Sequence, residues 1–433
     1  MRTASLRLTW ACLAALSASA CSSSGGAPDG GVTVADALGV DATPAADARA
    51  DGDDAGAERD AAMRDAEAVP DAEAVPDAEA APDAEPAPDA EPSDARAALH
   101  VYVGSARGSI AHFVLDEASG ALAAREVTAA GQNPSFLARS PDARHLYAVD
   151  EVGAGRVRAF AIDPASGALT ARGDVATGAN GPTHLVVEPG GRAVLVAHYN
   201  DGQLAVVPIR ADGTLEAPSQ RVFAGRNAHQ AVVDPAGRSV FVPCLGDDHV
   251  AQYALAADAR GVSPRTPATT SLAAGSGPRH LAFSTDGRFA FVLGELDSTL
   301  TPLTHDAAAG TFAVGAPVST LPLGFPGANS TAEVVVHPTL AVAYASNRGH
   351  DSIARFTFDR ADGALTALDQ TITGGSTPRS FAIDDVGRWL VIANQNSDDV
   401  TTMRVDATDG ALAPTGLRAR VARPSFVGAW RGP

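Results

Sequence analysis

Across 433 residues the chain carries 51 Asp and Glu against 32 basic residues, a formal net charge of −19. Every basic side chain is Arg, so Schiff-base chemistry through a lysine is excluded. The acidic excess argues against a polyanion-binding surface, and no nucleic-acid partner is expected.

Arg2 and Arg7 precede an apolar stretch from Leu8 to Ala20, too short to cross a bilayer as a mature helix, so residues 1–20 read as a secretory signal. Ala18, Ser19 and Ala20 lead into Cys21 and three serines, a pattern that resembles a bacterial lipoprotein signal with Cys21 as the acylated residue. The expected product is an extracytoplasmic, membrane-anchored lipoprotein; ordinary cleavage after Ala20 would release a soluble one. Residues 22–97 hold 20 acidic residues against 4 Arg and almost nothing large and apolar. Between Asp65 and Asp94 they become a near-hexapeptide repeat, DAEAVP DAEAVP DAEAAP. Recurrent proline blocks helix and like charges keep the chain extended, so residues 21–97 are expected to be a disordered stalk. Divalent-ion binding by this run would be loose, because its carboxylates are not gathered on a turn.

Beyond Ala97 the texture changes to short alternating runs broken by Asp-Gly and Asp-Pro turns, the pattern of an all-β protein. Units recur at Pro134 (PSFLARSPDARHLYAVD), Pro182, Ala228, Pro278, Ala332 and Pro378, with spacings of 48, 46, 50, 54 and 46 residues. That period suits four short strands per unit, one propeller blade. In the first unit the strands are expected over 135–139, 145–150, 157–163 and 168–175. His100 to Ala129 reads as the second to fourth strands of a further unit, and PSFVGAW from Pro424 as its missing first strand. Residues 98–433 are therefore expected to form a seven-bladed β-propeller whose ring is closed by pairing both chain ends in one blade. Of the three cysteines only Cys244 falls in this part, so no internal disulfide is possible there and a small buried residue is expected.

In a propeller the loop leading into a blade's first strand and the loop leaving its second strand open on one face. His184, His229, Arg279, His280, Arg379 and Ser380 lie on loops of the first kind; His198, Asn200, Asp247, Glu295, Asn347, Arg348, Asn394 and Asn396 on loops of the second. One rim thus collects Arg, His and Glu around a central funnel, suited to a small anionic or polar ring. A rim Arg or His is commonly solvated or a hydrogen-bonded spacer. Glu295 directly follows the apolar strand FAFVLG, where an unpaired carboxylate is costly, so an Arg partner is expected. That pairing is compatible with a structural role as well as a catalytic one. The histidines show no metal-ligand spacing, and no serine elbow is evident.

The stretches GPRHLAFSTDGRFAFVLGELDSTL, YASNRGHDSI and TPRSFAIDDVGRWLVIANQNSDDV resemble the lactonase family that includes propeller-type 6-phosphogluconolactonases and the carboxymuconate-lactonizing enzyme. The resemblance implies a catalytic set of His229, Arg279, Glu295 and Arg348. His184, His198, His280, Asn347 and Arg379 would then bind substrate, with no cofactor and no metal. Gly294 and Cys244 depart from the residues usual in the family. Hydrolysis of a lactone needs a base for water, which Glu295 or His229 can supply, and fixed positive charge for the oxyanion and any substrate anion, which Arg279 and Arg348 can supply. The expected function is hydrolysis of a sugar-derived or other small anionic lactone by a monomer; the alternatives are a non-catalytic binding scaffold and a muconate-lactone cyclase.

Overall fold

The computed structural model describes residues 97–432. The secretory signal, Cys21 with its lipidation, and the acidic stalk up to residue 96 lie outside the described residues.

The described residues form seven antiparallel sheets, each with its strands in sequence order except the first. In that sheet Leu99–Ser105, Ser109–Leu115 and Leu122–Ala129 are completed by the C-terminal strand Pro424–Arg431, which pairs Ala429 with Val101 and Val427 with Val103. Closure through both chain ends is as expected. In the second blade the strands are Leu137–Arg139, His145–Asp150, Arg156–Ile162 and Leu169–Ala176. Only the first is shorter than expected, because the Ser135 N–H turns back to the Asn133 carbonyl and Phe136 reaches the second strand only through its carbonyl, which accepts from the Val149 N–H at 3.1 Å.

Second strands such as Ala193–His198 (AVLVAH) and Trp389–Asn394 (WLVIAN) are buried at every residue. They read as continuous apolar runs because each sheet is covered on both faces by its neighbours. Fourth strands such as Leu365–Ile372 form the outer edge of each blade, and no residue of that strand is fully buried. The core is accordingly divided between the blades. One apolar cluster joins Leu195 and Ala197 of the third blade to Val240 and Val242 of the fourth. Another closes the ring by joining Trp389 and Val391 of the seventh blade to Leu99, Val101 and Val427 of the first. Tyrosine hydroxyls add directional contacts between blades: Tyr102, Tyr147 and Tyr344 each donate to the carbonyl of a glycine on the next blade's outer turn, Gly167, Gly213 and Gly410. Gly410 has φ of 74°, and a Cβ there would meet the Tyr344 hydroxyl, so the turn needs glycine.

One repeat boundary differs from the sequence reading. Thr331 pairs with Asn347 as Pro278 pairs with Gly294 and Pro378 with Asn394. The sixth blade therefore starts at Thr331, one residue earlier than the Ala332 at which the repeat was placed.

Candidate functional site

In every blade the residue just after the second strand donates its backbone N–H to a carbonyl of the loop leading into the first strand, at 2.8–3.1 Å. This shared bond identifies equivalent positions without reference to sequence. Glu295 bonds Gly277, Arg348 bonds Ser330, Glu151 bonds Asn133 and Tyr199 bonds Gly181. One residue earlier, the side chains serve the scaffold. His198 is fully buried, with Nε2 2.8 Å from Thr177 Oγ1 and Nδ1 3.3 Å from the Gln203 carbonyl. Asn347 accepts from Thr320 Oγ1 and Asn329 and donates to the Thr320 carbonyl. The structure thus does not bring His198 or Asn347 to the funnel, because consecutive strand residues point to opposite faces. Asn394 is likewise bound to Asp399, and Asp247 pairs with Arg226.

The first strands break their ladder where the chemistry sits. Register shifts fall between Pro182 and His184, Pro278 and Leu281, Thr331 and Val334, and Pro378 and Ser380. Such bulges re-aim side chains. In the fifth blade the result is that two successive residues, Arg279 and His280, both reach the interior. Arg279 Nε lies 2.9 Å from Glu295 Oε2, and Arg348 Nη2 2.7 Å from Glu295 Oε1. The Arg279 Nε–H is poorly aligned with the carboxylate and has no other acceptor, so that contact is an ion pair more than a hydrogen bond. Backbone carbonyls of Ala332 and Thr331 accept from Arg279 and Arg348, so both guanidinium groups are held by the sixth blade as well.

Burial pushes the Glu295 carboxyl up, but Arg279 and Arg348 outweigh it and hold Glu295 below its ordinary range. Burial also weakens the proton affinity of Arg279 and of Arg379; Glu295 opposes this at Arg279 and Glu151 does so at Arg379. Both guanidinium groups remain cations. Arg379 makes no ion pair or hydrogen bond to another side chain among the described residues. Burial and the neighbouring cations hold His184, His229 and His280 well below the usual histidine range, so all three rings are neutral. His229 is 5% exposed, its Nδ1 has no partner, and its ring meets Tyr199 and His280 edge-on at 5.6 and 5.2 Å.

Below this ring the channel is plugged. Phe136 packs on His184 at 3.9 Å and on Phe426 at 4.5 Å, and His184 meets His280 at 5.5 Å. Glu333 completes the layer, its Oε1 2.7 Å from His280 Nδ1. Burial pushes the Glu333 carboxyl up to about 8, against the pull of Arg279 and the Val334 N–H. Beneath the plug lies a tunnel of ≈ 560 Å³ with walls including Leu281, Val335 and Phe381, opening beside Arg139 and Trp430 on the opposite face.

The structure therefore brings together His229, Arg279, Glu295 and Arg348, with His184, His280 and Arg379 against them. Sequence reasoning missed Glu151 and Glu333. Aligning the repeats on the residue after the second strand would have found Glu151, which accepts from Thr183 Oγ1 at 2.9 Å. Glu333 stands one residue after Ala332 in the repeat, level with Arg279, and in the structure it occupies the position of His280 in the fifth blade.

A family model described as "Lactonase, 7-bladed beta-propeller" matches residues 100–429. The chain is 30% identical over 309 residues to a Bacillus subtilis 6-phosphogluconolactonase, covering 69% of this chain and 88% of that one. It is 30% identical over 313 residues to a 6-phosphogluconolactonase of Yersinia pseudotuberculosis, covering 72% and 92%. Among solved structures it resembles a periplasmic gluconolactonase of Pseudomonas aeruginosa, with a TM-score of 0.73 and 31% identity over 78% of this chain and 100% of that one.

Proposed function

The chain belongs to the seven-bladed β-propeller lactonase family, and from that membership we propose that its upper funnel hydrolyses a sugar-derived lactone bearing at most one negative charge. The observation that carries this reading is the Glu295 carboxylate clamping Arg279 and Arg348 beside the unpartnered His229 ring. With both its oxygens in ion pairs, Glu295 is a poor proton acceptor; the base is His229, whose neutral ring makes no hydrogen bond among the described residues. His229 takes a proton from water as the water oxygen attacks the lactone carbonyl. Arg279 and Arg348, immobilised by Glu295, stabilise the oxyanion. The ring C–O bond then breaks and the departing alkoxide recovers the proton from His229, leaving a hydroxy acid. Arg379 is placed to hold a carboxylate or hydroxyl of the substrate.

Charge limits the substrate. Three arginines face Glu295 and Glu151, while Glu333 stays neutral near pH 7, an excess of one positive charge. That suffices for one developing oxyanion and falls furthest short for a phosphate dianion. It also agrees with an exported enzyme, as the Arg2–Cys21 segment suggests and as the periplasmic name of the Pseudomonas relative parallels. Hydrolysis of glucono-δ-lactone, 6-phosphogluconolactone and a simple alkyl lactone should be measured beside His229→Asn. Fastest turnover of the unphosphorylated sugar lactone is expected, with a loss of about 100-fold in kcat for the variant. Preference for the phosphorylated lactone would overturn the charge argument, and hydrolysis of none would favour a non-catalytic scaffold. Anchoring through Cys21 is checked by fractionation, where Cys21→Ser should move the protein to the soluble pool and an unchanged distribution would count against it.

A further inference from the structure

Glu333 is not used by the chemistry above, yet its setting is unusual. Burying a carboxyl without a cation is costly, and this one has no ion pair with Arg among the described residues. Its partners are His280 Nδ1 at 2.7 Å and the Val334 N–H at 3.2 Å, both on Oε1. Its side chain also lines the lower tunnel. Glu333 thus touches the catalytic layer on one side and a cavity leading to the opposite face on the other. Across His280, the Nε2 atom is buried without a partner, and so is Nδ1 of His229 on the ring 5.2 Å away. Two orphaned nitrogens on adjacent neutral rings are what a proton path leaves vacant between transfers. The tunnel, at ≈ 560 Å³, has room for a chain of waters at about 30 Å³ each.

We propose that His280 and Glu333 form a proton port, passing the proton released in each turnover from the floor of the funnel to water in the lower tunnel. The need arises from the reaction. Lactone hydrolysis ends in a carboxylic acid that ionises and releases one proton, while substrate or product covers the funnel from above. The proton leaves the product through His229. His280 then accepts it on Nε2 as it gives one from Nδ1 to Glu333 Oε1, and the carboxyl sheds one to tunnel water. Each group gains one proton and loses one, and a reversal of the His280 tautomer resets the path. Glu333 is faced by His280 and Arg279 from the fifth blade, by Arg379 from the seventh and by His184 across the axis. The two arginines keep the path from holding a second proton.

The port rests on the reading of His229 as base, and the test separates the two. Turnover of glucono-δ-lactone by the full chain should be followed in H2O and D2O between about pH 6 and about pH 9. Glu333→Gln is expected to lower kcat about 10-fold at unchanged KM, to enlarge the solvent isotope effect and to be partly rescued by added imidazole. Val335→Phe, which narrows the tunnel and leaves Glu333 in place, should show the same enlarged isotope effect without rescue. Parental kcat and isotope effect in both variants would overturn the port. A rate loss in Glu333→Gln that imidazole does not restore would overturn it too, since a purely structural role predicts that result. Full activity of His229→Asn alongside a rescued Glu333→Gln would remove both the base assignment and His229's step in the path, and would keep His280 and Glu333 as a port fed directly from the product.

Discussion

Replacing Glu295 by Gln keeps the side chain's shape and removes the one charge that compensates two buried cations. Arg279 is 3% exposed and Arg348 14%, and Arg379 adds to the repulsion. Removing one partner of a buried pair costs about 3–5 kcal/mol. Glu295 itself is 19% exposed toward the funnel, so water recovers part of this and a loss of roughly 2–4 kcal/mol is expected. At roughly 2 °C per kcal/mol for a domain of this size, the melting temperature should fall by about 4–8 °C. The same change frees both guanidinium groups to rotate, and kcat should fall by about 100-fold. The shape of the pH–rate profile should persist, because the base is elsewhere. Thermal melts followed by circular dichroism, with and without gluconate, check the electrostatic half. The anion should stabilise the variant more than the parent, since it occupies the place of the lost charge. Exposed Arg125 on the outer strand Leu122–Ala129 gives the control Arg125→Ala. An unchanged melting temperature would refute the ion-pair argument, and loss of the acidic limb of the profile would show that Glu295, not His229, is the base.

Glu333 makes stability depend on pH with a sign that can be worked out. Its folded value is raised from 4.5 to about 8, so the native state holds a proton that the unfolded chain has lost in that window. Stability should therefore fall as pH rises from about 4.5 to about 8, by up to about 2.7 kcal/mol between pH 5 and pH 7. Denaturant titrations of Glu333→Gln should lack this slope; an identical slope in the parent and the variant would mean that Glu333 is not the group responsible. Neighbouring residues Asn347 and Arg348 should separate stability from activity. Asn347→Ala orphans buried hydrogen-bonding groups and should cost about 1–3 kcal/mol while changing kcat less than about threefold. Arg348→Ala should lose about 100-fold in kcat, and equal kinetic losses in the two variants would contradict the assignment of adjacent side chains to opposite faces.

The sequence by itself was enough for the architecture. A repeat of about fifty residues, with strand-length apolar runs and Asp-Gly turns, admits few arrangements, and the incomplete repeats at His100 and Pro424 could be satisfied only by each other. It also placed Arg279, Glu295 and Arg348 on one rim, because loop direction follows from strand order alone, and it required an Arg partner for Glu295 on desolvation grounds. Parity within a strand was not legible. His198 and Asn347 belong to the scaffold while Glu151 and Arg348, one step further along their own blades, face the funnel. A period of two decides such matters only once the register with the neighbouring strand is known. The bulges between Pro278 and Leu281 and between Thr331 and Val334, which set the direction of Arg279, His280 and Glu333, leave no trace in composition. The protonation of these groups was settled last. Whether a carboxyl is held down, as at Glu295, or pushed up, as at Glu333, depends on how many guanidinium groups reach it and how much water is excluded, and only the assembled ring determines either.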